Sequence, residues 1–310
     1  MTDITIPDTM NAVRLHAPGG VDDITYDEVQ TPTPDSGEAL VRVHAAAITR
    51  DELTWAADRL PAIPSYELSG TVVALGDGTT GLEPGQDVYA MTGFDRDGVA
   101  AEYAAVPVRE LSSKPKRLTH VEAAAIPLAA LSAMQGLFDH GRLVKNERVL
   151  IHGGAGGVGA HAVQLARLYG AYVIATASGP RVALTRELGA DDVVDHTSTD
   201  FTSVEPVDLV FDTVGGERLE RSVEVLGEGG RLVSVAENPP AEASERGIEA
   251  LWFLVESNLD QLAELSQLAD TGALRVLVER TYALSDAKEA FAHLMERGGS
   301  GKVVLTVIKE

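Results

Sequence analysis

The chain has 310 residues, of which 45% are hydrophobic and 23% charged, so its size and composition suit a globular protein of two domains. Its net charge of −22 argues against nucleic-acid or anionic-membrane partners, because both are themselves negatively charged. It has no cysteine, no apolar run long enough to span a membrane and no signal-like start, which excludes disulfides and cysteine-based zinc sites and predicts a cytoplasmic protein.

The part of the chain up to residue 110 is predicted to be rich in β-strand. Short runs of valine and alanine, partly alternating with polar residues, are separated by clusters of glycine, proline and aspartate. The predicted strands are NAVRLH, ALVRVHAAAI, GTVVAL, QDVYAM and AEYAAVP. Their spacing is typical of a partly open barrel or distorted sandwich rather than of βαβ units.

From residue 119 the pattern changes to alternating helices and strands. Thr119 and Glu122 fit a capping box at the start of the helical stretch EAAAIPLAALSAMQGLFD. The following segments are RVLIHG, GVGAHAVQLARLYG, YVIATAS, RVALTRELG, DVVD, DLVFDTV, ERLERSVEVLG and RLVSVA. This alternation predicts an α/β domain with a doubly wound parallel sheet.

The C-terminal part begins with a polar, proline-containing stretch, ENPPAEASERG, which we interpret as a loop. A strand (EALWFLVE), two helices (DQLAELSQLAD and LSDAKEAFAHLMERG) and a last strand (KVVLTVI) are predicted after it.

A glycine-rich turn follows the predicted strand RVLIHG. Gly154, Gly156 and Gly159 form the pattern G-x-G-x-x-G between that strand and the helical AHAVQLARLYG. Glycine permits a tight turn and a close approach of a pyrophosphate to backbone amides, while the start of the helix attracts negative charge. The motif therefore predicts binding of a dinucleotide cofactor.

The next strand, YVIATAS, lacks the acidic residue that NAD sites use. None of the 47 acidic residues lies between Ala160 and Arg186. Ser178 stands about 20 residues after the glycine motif, where an Asp or Glu would accept hydrogen bonds from the ribose hydroxyls of NAD. The Ser178 hydroxyl and the nearby Arg181 guanidinium suit a 2′-phosphate instead, which predicts NADPH as the cofactor.

Further motifs follow one another along nearly the whole chain. In order they are MNAVRLHAPGG, PSYELSGTVVALGDGTTGLEPGQDVYA, AAIPLAALSAMQGLF, RVLIHGGAGGVGAHAVQLAR, ELGADDVVDH, VFDTVGGERL, GGRLVSV and GKVVL. In this combination the chain resembles the zinc-free quinone oxidoreductase (zeta-crystallin-like) family of the medium-chain dehydrogenase/reductase superfamily. The resemblance implies a GroES-like catalytic domain of residues 1–122 and 258–310, and a Rossmann NADP-binding domain of residues 123–257. It also implies a homodimer formed through Rossmann-domain edges such as GGRLVSV.

The resemblance also implies which residues bind the cofactor. The residues of the pyrophosphate-binding turn would be Gly154, Ala155, Gly156, Gly157, Val158 and Gly159. The residues near the adenosine phosphates would be Ser178, Arg181 and His196. The residues near the nicotinamide and its ribose would be Ser132, Val214 and Gly215, with Gly301 and Lys302 in the terminal loop near the cofactor.

The same resemblance implies a catalytic site without zinc. Thr49 and Tyr66 stand where zinc-dependent relatives have a Cys and a His ligand, and these two residues, together with Ser132, would be catalytic. Without a Lewis acid to lower the pKa of a hydroxyl, alcohol oxidation is difficult. Hydride transfer from NADPH to an electrophilic acceptor is then the favoured reaction, with a quinone as the leading acceptor. Two alternatives stay open: reduction of the C=C bond of enones or 2-alkenals, and a non-catalytic NADPH-binding redox sensor.

Overall fold

Residues 5–56, 58–296 and 299–308 are described by the computed structural model. The chain divides into two compact units. Unit 1 comprises Met1–Leu128, Ser257–Thr271 and Val276–Glu310, and unit 2 comprises Ala129–Glu256 and Gly272–Arg275. The domain division predicted from the sequence has its boundaries after residues 122 and 257. Compact units are not the same as functional domains, so this division stays a prediction.

Unit 1 begins with seven strands. They are β1 (Thr9–Leu15), β2 (Ile24–Gln30), β3 (Glu38–Ile48), β4 (Glu67–Leu75), β5 (Asp87–Met91), β6 (Tyr103–Pro107) and β7 (Leu111–Ser113). Strands β1 and β2 form an antiparallel pair, while β3 pairs with β4 and β6, and β5 pairs with β4 and β7. Each of the five predicted strands is present, and β2 and β7 are additional.

Unit 2 contains a six-stranded, fully parallel sheet. Its strands are β8 (Arg148–Ile151), β9 (Tyr172–Ala177), β10 (Asp192–Asp195), β11 (Val207–Asp212), β12 (Leu226–Ser234) and β13 (Glu249–Trp252). They lie in the order β10-β9-β8-β11-β12-β13, which is the doubly wound Rossmann order, so the predicted fold class is confirmed. The strand order reverses between β8 and β11, and ligands of such sheets bind at the carboxyl ends of the strands near that point.

One expectation about the edges of this sheet is wrong. The segment GGRLVSV belongs to β12, which pairs with β11 on one side and with β13 on the other. Its backbone hydrogen-bonding groups are therefore used within the sheet. The outer strands of the described sheet are β10 and β13.

The chain returns to unit 1 with two strands, β14 (Val278–Ala283) and β15 (Lys302–Thr306). Strand β15 is antiparallel to β3, and β14 runs parallel to β15, which completes a sheet in the order β14-β15-β3-β4-β5-β7. The register pairs Val303 with Ile48 and Ala47 with Glu67. One end of this sheet therefore brings together three segments with polar or charged side chains: the residue after β3, the start of β4 and the start of β15.

The helices are α1 (His120–Ala124), α2 (Pro127–Met134), α3 (Gly157–Leu168), α4 (Arg181–Glu187), α5 (Glu217–Arg221), α6 (Glu242–Glu245), α7 (Leu259–Thr271) and α8 (Ala287–Met295). The predicted capping box is present: the Thr119 hydroxyl accepts from the Glu122 amide at 3.2 Å, and the Glu122 carboxylate accepts from the Thr119 amide at 2.9 Å. The predicted long helix after it is split, because Pro127 begins a new helix. The stretch ENPPAEASERG, which was interpreted as a loop, contains the short helix α6.

In the described part of the chain, no helix has the length and apolar character needed to cross a membrane.

Candidate active site

The glycine-rich turn connects β8 to α3 with very close backbone packing. Gly153 has a φ of +76°, and its amide donates to the Thr176 hydroxyl at 3.1 Å. The Gly154 amide donates to the Thr176 carbonyl at 2.9 Å, which ties the turn to β9. A Cβ atom on Gly159 would lie 2.1 Å from the Gly153 carbonyl oxygen. The first turn of α3 can therefore approach the end of β8 only because Gly159 has no side chain. Such a close-packed glycine turn is what the binding of a pyrophosphate requires.

Gly159→Ala is expected to destabilise the protein by about 1–3 kcal/mol and to weaken cofactor binding, because the new methyl group must displace the Gly153 carbonyl. Urea unfolding and fluorescence titration with a nicotinamide cofactor measure the two effects. Gly227→Ala is the control, because a Cβ atom there meets nothing within 4 Å. Equal stability of the two variants would contradict the close packing of this turn.

A cluster of cationic and neutral donor groups lies at the carboxyl ends of β9 and β10. The Arg181 guanidinium, at the start of α4, donates to the Ser178 hydroxyl and also to the Ser178 carbonyl, the latter at 3.3 Å. The Arg218 guanidinium donates to Nδ1 of His196 at 3.1 Å. Burial first, and then the charge of Arg218, lower the pKa of His196. A neutral His196 that accepts at Nδ1 has its proton on Nε2, which can donate to a ligand.

Ser178, Arg181 and His196 are predicted to belong to one site. Arg181 contacts Ser178, and the His196 amide donates to the carbonyl of Ala177, the residue before Ser178, at 3.1 Å, so the three lie close together. Arg218 was not predicted. It lies on α5, far from the glycine motif in sequence, and no local pattern distinguishes it from the other arginines of the chain. Its contact with His196 adds a second guanidinium to the group that the sequence indicated.

The turn after β11 contains the predicted residues Val214 and Gly215. Gly215 has a φ of +74°, and Val214 is exposed. The turn is held by the buried carboxyl group of Asp212, which accepts from the amides of Val214 at 3.2 Å and of Gly215 at 3.0 Å, and from the Ser234 hydroxyl at 2.9 Å. Burial raises the pKa of Asp212, and these hydrogen bonds oppose the rise. Asp212 was not predicted, although VFDTVGG was recognised as a motif.

In unit 1, a buried lysine lies beside the predicted catalytic residue Thr49. The Lys302 ammonium nitrogen is 2.6 Å from Oε1 of Glu67 and donates to the Thr49 hydroxyl at 2.8 Å. Lys302 is 5% exposed and Glu67 is fully buried. Oε2 of Glu67 accepts from the Leu128 amide at 2.9 Å, in the first turn of α2. The short distance between the two opposite charges matters at this depth, because burial of an isolated charge is very costly.

A second buried acid, Glu52, lies in the turn that follows Thr49. Its Oε1 accepts from the Thr49 amide at 3.1 Å, while its Oε2 is buried and makes no hydrogen bond of normal geometry with a described residue. Burial raises the pKa of Glu52 to about 8, against the opposing effects of the Thr49 amide and the Lys302 charge. Glu52 is therefore mostly uncharged at neutral pH.

Tyr66 lies in a small aromatic cluster of unit 1. Its ring centroid is 5.1 Å from that of Phe94 and 5.8 Å from that of Trp55. Burial raises the pKa of Tyr66, and the charge of Arg59 opposes this. The hydroxyl is buried, yet no described residue completes a hydrogen bond of normal geometry with it. Tyr66 thus places a buried polar group inside an aromatic setting.

The remaining predicted residues have these positions. Ser132 lies in α2 and is 3% exposed. Gly301 has a φ of +82°, and a Cβ atom there would lie 2.2 Å from the Leu277 carbonyl oxygen. The Lys302 amide donates to that same carbonyl at 2.9 Å, so the turn sets the start of β15. Within the described ranges, no group of three or more His, Cys, Asp or Glu side chains is arranged to hold a metal ion.

Two family models match the chain. Residues 35–116 match the alcohol dehydrogenase GroES-like domain, and residues 188–305 match a zinc-binding dehydrogenase model. A probable zinc-binding mitochondrial oxidoreductase of Arthroderma benhamiae is 33% identical, and the alignment covers 98% of each chain. A 2-methylene-furan-3-one reductase of Solanum lycopersicum is 32% identical over 98% of this chain and 81% of that protein.

A chloroplastic NADPH-dependent alkenal/one oxidoreductase of Arabidopsis thaliana is 33% identical over 98% of this chain and 81% of its own length. Among solved structures, the quinone oxidoreductase of Coxiella burnetii superposes with a TM-score of 0.92 at 30% identity, covering 97% of this chain and all of that one.

The fold and the glycine-rich cradle define a nicotinamide-dependent oxidoreductase with a GroES-like and a Rossmann part. The chain belongs to the quinone-oxidoreductase-like family of the medium-chain dehydrogenase/reductase superfamily.

Proposed function

We propose that the protein is an NADPH-dependent oxidoreductase that reduces a quinone without zinc. The observation that carries the proposal is the Thr49 hydroxyl, held by the buried Lys302 at a position where zinc-dependent relatives have a metal ligand. A hydroxyl there can donate a hydrogen bond to an acceptor oxygen, but it cannot act as a Lewis acid on an alcohol. Such a site suits an acceptor that is already electrophilic.

The proposed cofactor is NADPH rather than NADH. Ser178, Arg181, His196 and Arg218 supply two guanidinium groups and two neutral donors for a 2′-phosphate. The residues Gly154–Gly159 would hold the pyrophosphate, and the Asp212-supported turn with Val214 and Gly215 would lie near the nicotinamide ribose. When bound, the cofactor supplies a hydride to the acceptor.

Thr49, Tyr66 and Ser132 are the proposed catalytic hydroxyls. Tyr66 would contribute a hydroxyl that makes no hydrogen bond of normal geometry with a described residue, beside the rings of Trp55 and Phe94. A flat quinone would then have both a stacking surface and a hydrogen-bond donor. Gly301 and Lys302 remain proposed neighbours of the cofactor, although the ammonium group of Lys302 already contacts Glu67 and Thr49.

Reduction of the C=C bond of an enone or 2-alkenal is the second candidate. It is favoured by the two plant relatives, which are named as a furanone reductase and an alkenal/one oxidoreductase. The same hydroxyl groups would serve it, because hydride addition to an enone also places negative charge on one oxygen. A non-catalytic NADPH-binding redox sensor is the third candidate.

Steady-state oxidation of NADPH with a panel of quinones and a panel of 2-alkenals separates these candidates. We expect turnover with quinones at a kcat/KM of at least about 10⁴ per molar per second, within the range usual for enzymes. A higher kcat/KM for 2-alkenals would replace the leading candidate by the second. Tight NADPH binding without turnover of either panel would contradict both enzymatic candidates.

The proposed assembly is a cytoplasmic homodimer. Strand β13 is an outer strand of the unit 2 sheet, and Trp252 at its end is 42% exposed. An exposed aromatic side chain on an outer strand, which has a neighbouring strand on one side only, supports β13 as the contact, in place of GGRLVSV.

A further inference from the structure

The contact between Lys302 and Thr49 fixes the direction of the Thr49 hydroxyl. An ammonium group can only donate hydrogen bonds, so the Thr49 oxygen must be the acceptor at 2.8 Å. The hydroxyl proton of Thr49 therefore points away from Lys302. No residue in the described ranges accepts that proton. Lys302 is buried, whereas Thr49 is partly exposed, so of the two residues Thr49 is the one with surface open to a ligand.

Glu67, the counterion of Lys302, also has a second hydrogen-bond partner. Glu67 accepts the Leu128 amide in the first turn of α2, where the helix dipole stabilises negative charge. Part of the carboxylate charge is thus balanced by the helix, and the ammonium group is only partly neutralised by Glu67. A hydroxyl that accepts a hydrogen bond from a cation becomes a stronger donor to its next partner.

We propose that Lys302 is a positioning residue that makes the Thr49 hydroxyl a donor to the acceptor oxygen and thereby stabilises the oxyanion formed during reduction. This inference rests on the proposed function. It assigns to Lys302 an electrostatic role in the reaction in addition to any contact with the cofactor. In this proposal the positive charge of Lys302, acting through the Thr49 hydroxyl, polarises the acceptor oxygen as a metal ion does in zinc-dependent enzymes.

The overall reaction changes neither Thr49 nor Lys302. Hydride addition brings two electrons and one hydrogen to the acceptor, and one acceptor oxygen becomes an oxyanion. That oxyanion then takes one proton from water, so NADPH, the acceptor and one proton give NADP⁺ and the reduced acceptor. Thr49 and Lys302 lower the energy of the charged state and are not consumed.

The kinetic test uses changes at Lys302, Glu67 and Thr49 and one control variant. Lys302→Met removes the cation but leaves Glu67 buried and unpaired, so Lys302→Met with Glu67→Gln is made as well to remove both charges. Lys302→Arg restores a cation, and Thr49→Val removes the hydroxyl. Lys288→Met is the matched control, because it removes an exposed positive charge from the same unit.

We expect kcat to fall about 100-fold in the Met/Gln double variant and in Thr49→Val, with KM for NADPH unchanged in Thr49→Val, and Lys302→Arg to recover part of the loss. Adding Thr49→Val to the double variant should produce no further fall, because both act on one oxyanion through one path. Wild-type kcat in the double variant, with activity lost in Thr49→Val, would overturn the role of Lys302 and leave the proposed function intact.

A binding test does not depend on turnover. In the presence of NADP⁺, 4-nitrophenol serves as a probe whose absorbance reports whether the bound form is the phenol or the phenolate. We expect wild type to bind the phenolate at least about tenfold more tightly than the double variant does, since the variant lacks the cation. Equal phenolate affinity in the two proteins, or no binding to wild type, would overturn the inference even if no acceptor were turned over.

Discussion

Replacing Ser178 by Asp and Arg181 by Ala is expected to reverse the cofactor preference from NADPH to NADH. The Arg181 guanidinium and the Ser178 hydroxyl contact each other at the end of β9, so a 2′-phosphate would meet both groups at once. Each charge-assisted hydrogen bond contributes about 1.5–3 kcal/mol, and the new carboxylate would also repel the phosphate. We expect the ratio of kcat/KM for NADPH to that for NADH to fall about 1,000-fold.

The measurement is a pair of kcat/KM values for each variant, with fluorescence titration of both cofactors as a check independent of turnover. Arg218→Ala keeps Ser178 and Arg181 and should lower the ratio by a smaller factor. Arg186→Ala is the control, because it removes the same charge from the exposed end of α4. A ratio that stays at the wild-type value in the Ser178/Arg181 double variant would refute the assignment of the 2′-phosphate site.

The parts of the fold that were predicted from sequence are those with a local signal. The capping box of Thr119 and Glu122 and the glycine turn before α3 depend on neighbouring residues, and both are present. Strands β2, β7 and β14 were missed. Strand β7 has only three residues. ITYDEVQ of β2 is polar and mostly exposed, and VERTYA of β14 is polar with no fully buried residue, so both lack the apolar pattern of a buried strand.

The residues of the candidate site also differ in whether a local sequence pattern marks them. Ser178 and Arg181 are close in sequence and could be found from one strand and the turn after it. The pairing of Lys302 with Thr49 joins residues 253 positions apart, and it exists only because β15 lies beside β3. Glu52 and Glu67 are two among 47 acidic residues, and no local pattern marks them as buried. Their depth follows from sheet register, which one sequence does not reveal.

Replacing Glu52 by Gln is expected to stabilise the protein increasingly as the pH rises. The pKa of Glu52 is about 8 in the folded protein, mainly because of burial, and near 4.5 when the chain is unfolded. Between these values the folded state binds one more proton than the unfolded state, so wild-type stability falls as the pH rises. The amide introduced by Glu52→Gln does not titrate, so the gain in unfolding free energy over wild type should grow across this interval by up to roughly 4 kcal/mol and then level off.

Urea unfolding at steps from about pH 5 to about pH 9 measures this difference, with the exposed Glu83→Gln as the control. The control should follow the wild-type profile. Parallel profiles for wild type and Glu52→Gln would mean that Glu52 is already ionised in the folded protein. Two buried carboxylates would then surround the single ammonium group of Lys302, and their net negative charge would oppose an oxyanion beside Thr49. The stability profile of Glu52 therefore bears directly on whether Lys302 can act through Thr49 in the reaction.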